Sequence, residues 1–134
     1  MTTRVNSPIE INVEGGPNFS ENITYYAEAY DVIEVSLAPA AADVEILLQP
    51  GLAAMVYLFG IKMNAYTQAV PGTYDVSFKV HSAANPAIQI ESAILLAGIG
   101  AVSVLGAQPD KVFLSNAGAT TKNVTIIIAR DATP

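Results

Sequence analysis

The chain contains no cysteine and no tryptophan, and His81 is its single histidine among 134 residues. Without cysteine there is no disulfide scaffold, no thiolate zinc site and no thiol nucleophile. One histidine cannot supply the histidine cluster that a cupin-like metalloenzyme uses. Charge is scarce too: 13% of residues are charged, and 6 Lys+Arg stand against 12 Asp+Glu, a net of 6 − 12 = −6. The basic residues, Arg4, Lys62, Lys79, Lys111, Lys122 and Arg130, are scattered and no two are adjacent. Nucleic-acid binding draws on clustered Lys and Arg, so no nucleic-acid partner is expected. Long apolar runs are also missing. Gly51 to Ile61 stops at Lys62, and Ala93 to Ala107 is broken by Gly98, Gly100, Ser103 and Gly106. Both fall short of the roughly 18 to 20 residues that span a bilayer, so no membrane partner is expected.

What the chain does have is apolar content, 51% of its residues, arranged with the period of a β-strand. In Thr73 to Val80, Tyr74, Val76, Phe78 and Val80 alternate with Thr73, Asp75, Ser77 and Lys79. Alternation of this kind marks a strand buried on one face. Ile9, Ile11 and Val13 alternate with Glu10, Asn12 and Glu14, and Ile33, Val35 and Leu37 with Glu34 and Ser36. Val44, Ile46 and Leu48 form a further inward face, with Glu45 and Gln49 outward. Met55 to Phe59 and Val124 to Ile128 are apolar at successive positions. Such strands imply a sheet whose second face is covered by another element or another subunit.

Turn residues divide these runs at Gly15-Gly16-Pro17, Pro39, Pro50-Gly51, Pro71-Gly72, Asn85-Pro86, Gln108-Pro109-Asp110 and Asn116-Ala117-Gly118. Proline presets φ and glycine accepts positive φ. The spacing leaves room for about 8 to 10 short strands, and no segment carries a sustained helical stripe. The expected fold is therefore all-β: a single-domain β-sandwich of jelly-roll type. The length suits one domain with its own core. Residues 1–8, with no apolar period, read as an unstructured N-terminal arm rather than a signal peptide. Residues 9–130 read as the sandwich, and 131–134 as a C-terminal tail.

Nothing in the sequence marks a catalytic, cofactor or metal site. His81 and Ser82 are neighbours on a strand and point to opposite faces, so they are not a base and its nucleophile; His81 reads as a strand-end surface residue. Glu10, Glu14, Glu34, Glu45 and Asp75 fall where a solvated sheet face needs polar groups, which outweighs a glycosidase-like pair. Asp43 and Glu45 share a face but lack the D-x-D-x-D-G loop of a calcium site. The sequons at Asn18, Asn22 and Asn123 read as chance, and Gly98-Ile99-Gly100 lacks the continuation of a dinucleotide fingerprint. Two features suit partner binding. Ile9, Ile11 and Val13 form a strand able to add to a neighbour's sheet edge, with membership of the chain's own sandwich as the alternative. Tyr25, Tyr26 and Tyr30 cluster near the N-terminal third, and tyrosine is favoured at interfaces.

From Asp43 onward the layout is recognisable. A strand ends at Gln49-Pro50-Gly51, a long apolar strand follows, and then the Pro71-Gly72 hairpin and the glycine-interrupted Ala93 to Gly106 segment. Lys111 to Asn116 and Asn123 to Asp131 close the chain. This resembles the small β-sandwich virion proteins of tailed bacteriophages that decorate heads or build head and tail appendages. The resemblance implies a non-enzymatic structural protein, foremost a capsid decoration protein that cements the shell, located in the virion and made in the host cytoplasm. It implies self-association, with a homotrimer expected, and the major capsid protein or another virion protein as partner, with no cofactor. A tail or head-fibre attachment component is the neighbouring alternative. A carbohydrate-binding module is an alternative of another class, which would draw its platform from Tyr25, Tyr26, Tyr57, Tyr66 and Tyr74.

Overall fold

The computed structural model describes residues 3–12, 14–48, 56–63, 75–90 and 93–131. Val13, Met55, Tyr66, Tyr74, the Pro50-Gly51 and Pro71-Gly72 turns and residues 132–134 lie outside the described residues. The described residues form ten strands: β1 (Thr3–Ile11), β2 (Phe19–Ala27), β3 (Ala29–Leu37), β4 (Val44–Leu47), β5 (Val56–Met63), β6 (Val76–Val80), β7 (Ile88–Ile90), β8 (Ala93–Ala97), β9 (Lys111–Asn116) and β10 (Lys122–Arg130). One short helix, α1 (Ile99–Val102), runs into a 3-10 turn at Ser103–Leu105.

β3 to β10 make two four-stranded antiparallel sheets, ordered β3-β10-β5-β8 and β4-β9-β6-β7. The pairing is nested. β3 pairs with β10, β4 with β9, β5 with β8 and β6 with β7. The chain thus doubles back on itself as one long antiparallel ribbon and wraps into two facing sheets, which is the jelly roll. The fold is an all-β sandwich, as the alternation and turn spacing predict.

Alternate residues meet between the sheets. Val124, Ile126 and Ile128 of β10 and Phe59 and Ile61 of β5 face Val76, Phe78 and Val80 of β6 and Val112 and Leu114 of β9. Phe59 and Phe78 are in ring contact, their centroids 5.9 Å apart and their planes inclined at 36°. Leu37 closes the β3 side, with Ile33 and Val35 packed against the core. Each of these side chains contributes roughly 1.5–3 kcal/mol by leaving water.

Asn116 is the polar exception in this core. It is fully buried on β9, and its side-chain amide donates to the carbonyls of Leu37, Ala38 and Thr120 at 3.2, 3.3 and 2.9 Å. Its Oδ1 accepts from the Gly118 amide at 3.0 Å. A buried polar group is tolerated when its hydrogen bonds are met, and here they tie the end of β3 to the β9–β10 turn.

Three expectations are corrected. The N-terminal arm does not run loose to Pro8, because residues from Thr3 are already paired with β2. Pro8 sits mid-strand opposite Asn22. β1 has a single neighbour, and a residue without an N–H is tolerated on such an edge. Second, Ile9 and Ile11 belong to neither sheet of the sandwich. They lie in a two-stranded β1–β2 ribbon that continues into β3 across Glu28 alone. The segment Ala93 to Leu105, expected at subunit contacts or in the deepest core, opens with the strand β8. The strand ends at Ala97, Gly98 adopts φ +102°, and α1 follows, which leaves Leu95, Ile99 and Val104 exposed. The turn into α1 needs the positive φ that glycine accepts without strain. Third, Val44 is exposed rather than inward because β4 is a four-residue edge strand. Among the described residues, no helix is long and apolar enough to cross a membrane.

Candidate functional site

The two outer faces of the sandwich differ in chemistry. On the β4-β9-β6-β7 sheet, Glu45, Phe113 and Lys79 form one cross-strand row. Lys79 Nζ lies 3.1 Å from Asp43 Oδ1, and Lys111 Nζ lies 3.9 Å from Glu45 Oε1. The Asp43 amide donates to Ser115 Oγ at 3.0 Å. Asp75, just before β6, faces Lys122 at 3.7 Å. These exposed pairs are worth about 0–1 kcal/mol each, and they mark a face built for water. The two carboxylates weighed as a cation site, Asp43 and Glu45, each have a lysine beside them.

The outer face of the β3-β10-β5-β8 sheet is apolar over two successive rows. Tyr30, Ala129, Leu58 and Ala97 form one; Val32, Ile127, Gly60 and Leu95 form the next. Tyr30, Val32 and Leu95 are exposed by 57%, 56% and 49%. Beyond them Glu34, Thr125, Lys62 and Ala93 return the face to polar. Gly60 has no side chain, and Ile127 and Leu95 rise on either side of it. The result is a groove of about 230 Å³ with an almost wholly apolar lining and Lys62 at its rim. The run Ile126-Ile127-Ile128 explains the face: its even positions fill the core and Ile127 is left outside.

The ribbon repeats this asymmetry. Val5, Ile9 and Ile11 of β1 share a face with Phe19, Ile23 and Ala27 of β2, interrupted by Ser7 and Glu21. The other face carries Arg4, Asn6, Pro8 and Glu10 opposite Tyr26, Thr24, Asn22 and Ser20. Thr24 Oγ1 donates to Asn6 Oδ1 there at 3.0 Å. At its base the apolar face rests on the sandwich, where Val5 and Ala27 cluster with Leu58, Ala129 and Ile127. This is a cover for part of the apolar sheet face, as the doubly apolar strands predict. Towards the tip, Ile11 and Phe19 are exposed by 52% and 59%.

The residues expected to bind a partner therefore divide. Ile9 and Ile11 share the apolar ribbon face, Tyr26 lies on its polar face, and Tyr30 stands on the outer sheet. Tyr25 pairs with Val5 through the backbone, and Val13 lies outside the described residues. Tyr26 and Tyr30 thus stand on different surfaces. Sequence reasoning passed over Phe19, Val32 and Gly60, whereas Ile127 and Leu95 fall in the runs Ile126 to Ile128 and Ala93 to Leu105, expected at subunit contacts or in the deepest core. Of the tyrosines weighed as a sugar platform, Tyr57 is committed elsewhere. Its hydroxyl donates to Asp131 Oδ1 at 2.9 Å, and that bond, followed by desolvation and the charges of Asp131 and Glu28, raises its pKa above the ordinary phenol value.

His81 directly follows β6 with φ +71°, and its Nδ1 lies 2.8 Å from Asp110 Oδ1. Ser82 Oγ accepts from the Ala84 amide instead; both residues lie past the end of β6, so they are not the strand neighbours that the sequence suggests. Arg130 is buried at the end of β10, with Nη2 3.0 Å from Asp31 Oδ2 and Nε without a protein partner. A second cleft, of about 320 Å³, lies between the β6–β7 turn and the 3-10 turn, with Val80, Asn85, Ile88, Val104 and Leu105 in its walls. Among the described residues it is lined by no titratable side chain.

No protein-family model matches the chain, and no curated protein is similar to it. A solved structure from Schizosaccharomyces pombe, the Cnp3 cupin domain, aligns over 96% of this chain and 84% of its own, with a TM-score of 0.41 and 10% identity.

Proposed function

We propose that the protein is a non-enzymatic structural component of a tailed-phage virion, foremost a capsid decoration protein that assembles as a homotrimer and holds shell subunits together. The observation that carries this reading is the pairing of one charge-laced outer face with one apolar outer face, extended by an apolar-faced ribbon. A contiguous apolar surface on a soluble chain marks an interaction site. Eight-stranded jelly rolls recur in viral shells and in lectins, and the layout of strands and turns from Asp43 onward is similar to phage appendage proteins. The ion-paired face would stand towards solvent, while the apolar face and the ribbon meet other chains. The major capsid protein encoded in the same genome is the expected partner, and the virion the expected location.

Co-sedimentation tests the reading. The purified full chain is mixed with empty shells of that capsid protein. Saturable binding, with the shells gaining resistance to heat, is expected. Failure to bind shells, together with absence of the chain from purified particles by mass spectrometry, would overturn it.

A further inference from the structure

The tip of the ribbon and the groove beside Gly60 are both uncovered in the single chain, and their chemistries match. We infer that the distal half of the β1–β2 ribbon of one copy, led by Ile11 and Phe19, seats in the Gly60 groove of a second copy of this chain. The inference rests on the reading of the protein as a self-assembling virion component and names the surface that assembles it.

Four observations carry it. The ribbon's apolar face already rests on this sheet at its base, through Val5 and Ala27 against Leu58 and Ala129. The distal contact would therefore repeat a packing the molecule itself uses. The groove is apolar, and its missing Gly60 side chain leaves space between Ile127 and Leu95. Charges complement: Glu21, opposite Ile9, is the single carboxylate on the described apolar ribbon face, and Lys62 is the single cation lining the groove among the described residues. Finally, nine-residue strands make the ribbon about 30 Å long. A lone two-stranded ribbon is marginal in water until its apolar face is covered. Its own sandwich covers the base and leaves Ile11 and Phe19 exposed, so the remaining cover is assigned to another copy. An arm that enters a different patch on the next copy is a head-to-tail contact, which closes into a ring such as a trimer when the rotation permits.

The natural lack of cysteine makes the test direct. Full-length F19C and L95C are prepared separately, mixed, oxidised and run on a non-reducing gel. A strong two-chain product from the mixture, and little from F19C mixed with L47C on the opposite sheet, is expected. In the double variant F19C/L95C, a disulfide formed within one chain at high dilution would show the ribbon folding onto its own groove and would overturn the inference. In sedimentation, Phe19→Asp and Leu95→Asp are each expected to weaken self-association by about tenfold or more while the β-sheet circular dichroism is retained. If the native chain assembles, both variants assemble equally well and the F19C–L95C product is absent, ribbon-in-groove docking fails while self-assembly stands. A native chain that stays monomeric at high micromolar concentration overturns docking and homotrimer together, whereas shell binding is read separately by co-sedimentation.

Discussion

A Cβ placed on Gly60 would stand 2.8 Å from Ile127 Cγ2 and 3.2 Å from Leu95 Cδ1. The first distance is shorter than real Cβ contacts, and the atom in the way is a methyl on a β-branched carbon, which has few other rotamers. The groove therefore exists because this position carries no side chain. Gly60→Ala is expected to lower stability by about 1–3 kcal/mol, the usual cost of overpacking, and to weaken self-association because the groove is filled. Chemical denaturation and sedimentation of the same variant check both effects. An unchanged association constant would detach the groove from assembly.

Asn116 carries the next expectation. Its amide serves three carbonyls and its oxygen one amide. Asn116→Ala would leave several backbone groups unpaired in a buried place, at about 1–3 kcal/mol for each group left unsatisfied. A loss of about 2–4 kcal/mol overall is expected, read as a lower denaturation midpoint at unchanged slope. Asn116→Asp should be no better, since it retains the acceptor for Gly118 but removes the donors.

Much of the sandwich was legible because one face of most strands is wet. Val76, Phe78 and Val80 alternate with Ser77 and Lys79, and the structure turns the two sets to core and solvent as the pattern demands. Ile33, Val35 and Leu37 behave in the same way. The ribbon was less legible, because Ile9 and Ile11 alternate just as core strands do. Period-2 patterning reports that a face is apolar, not what covers it. α1 was invisible since four residues cannot display a 3.6-residue period. Asp110 as the partner of His81 was out of reach for another reason: the pair is 29 positions apart and is brought together only by the meeting of β6 and β9. The groove needed the register. Gly60, Ile127 and Leu95 come from three strands, and only their cross-strand alignment puts them in one row.

Tyr57 gives a dependence on alkaline pH. Its pKa is raised in the fold, above all by the hydrogen bond to Asp131. A phenol with a raised pKa favours the folded state while it is protonated. Its contribution is thus fully present below the free-phenol value of 10.0 and is lost as the pH climbs through the higher folded value. Tyr57→Phe is expected to cost about 0.5–1.5 kcal/mol at neutral pH, the worth of one hydrogen bond. Above about pH 10 the gap between the variant and the native chain should begin to close. Thermal melts of both proteins across pH 7 to pH 11 measure the difference, and a constant gap over that range would contradict the assignment.

The ribbon should be separable from the fold that bears it. None of its described residues belongs to the buried cluster between the two sheets, which draws on residues from Leu37 to Ile128. Its contact with the sandwich is a smaller cluster in which Val5 and Ala27 meet Leu58 and Ala129. A chain starting at Glu28 keeps every strand pair of the jelly roll, from β3·β10 to β6·β7. It is expected to fold, with a β-type circular dichroism spectrum and a stability lower by about 1–3 kcal/mol for the lost cover of Leu58 and Ala129. Removing only residues 1–13 should be worse behaved than removing both strands. It leaves β2 with an unpaired edge and an apolar face, the combination that invites aggregation. Light scattering and denaturation of the two truncations therefore make the comparison. If the longer truncation fails to fold while the shorter one survives, β2 is part of the sandwich's own stability, and the ribbon is not the accessory arm its place outside the core cluster implies.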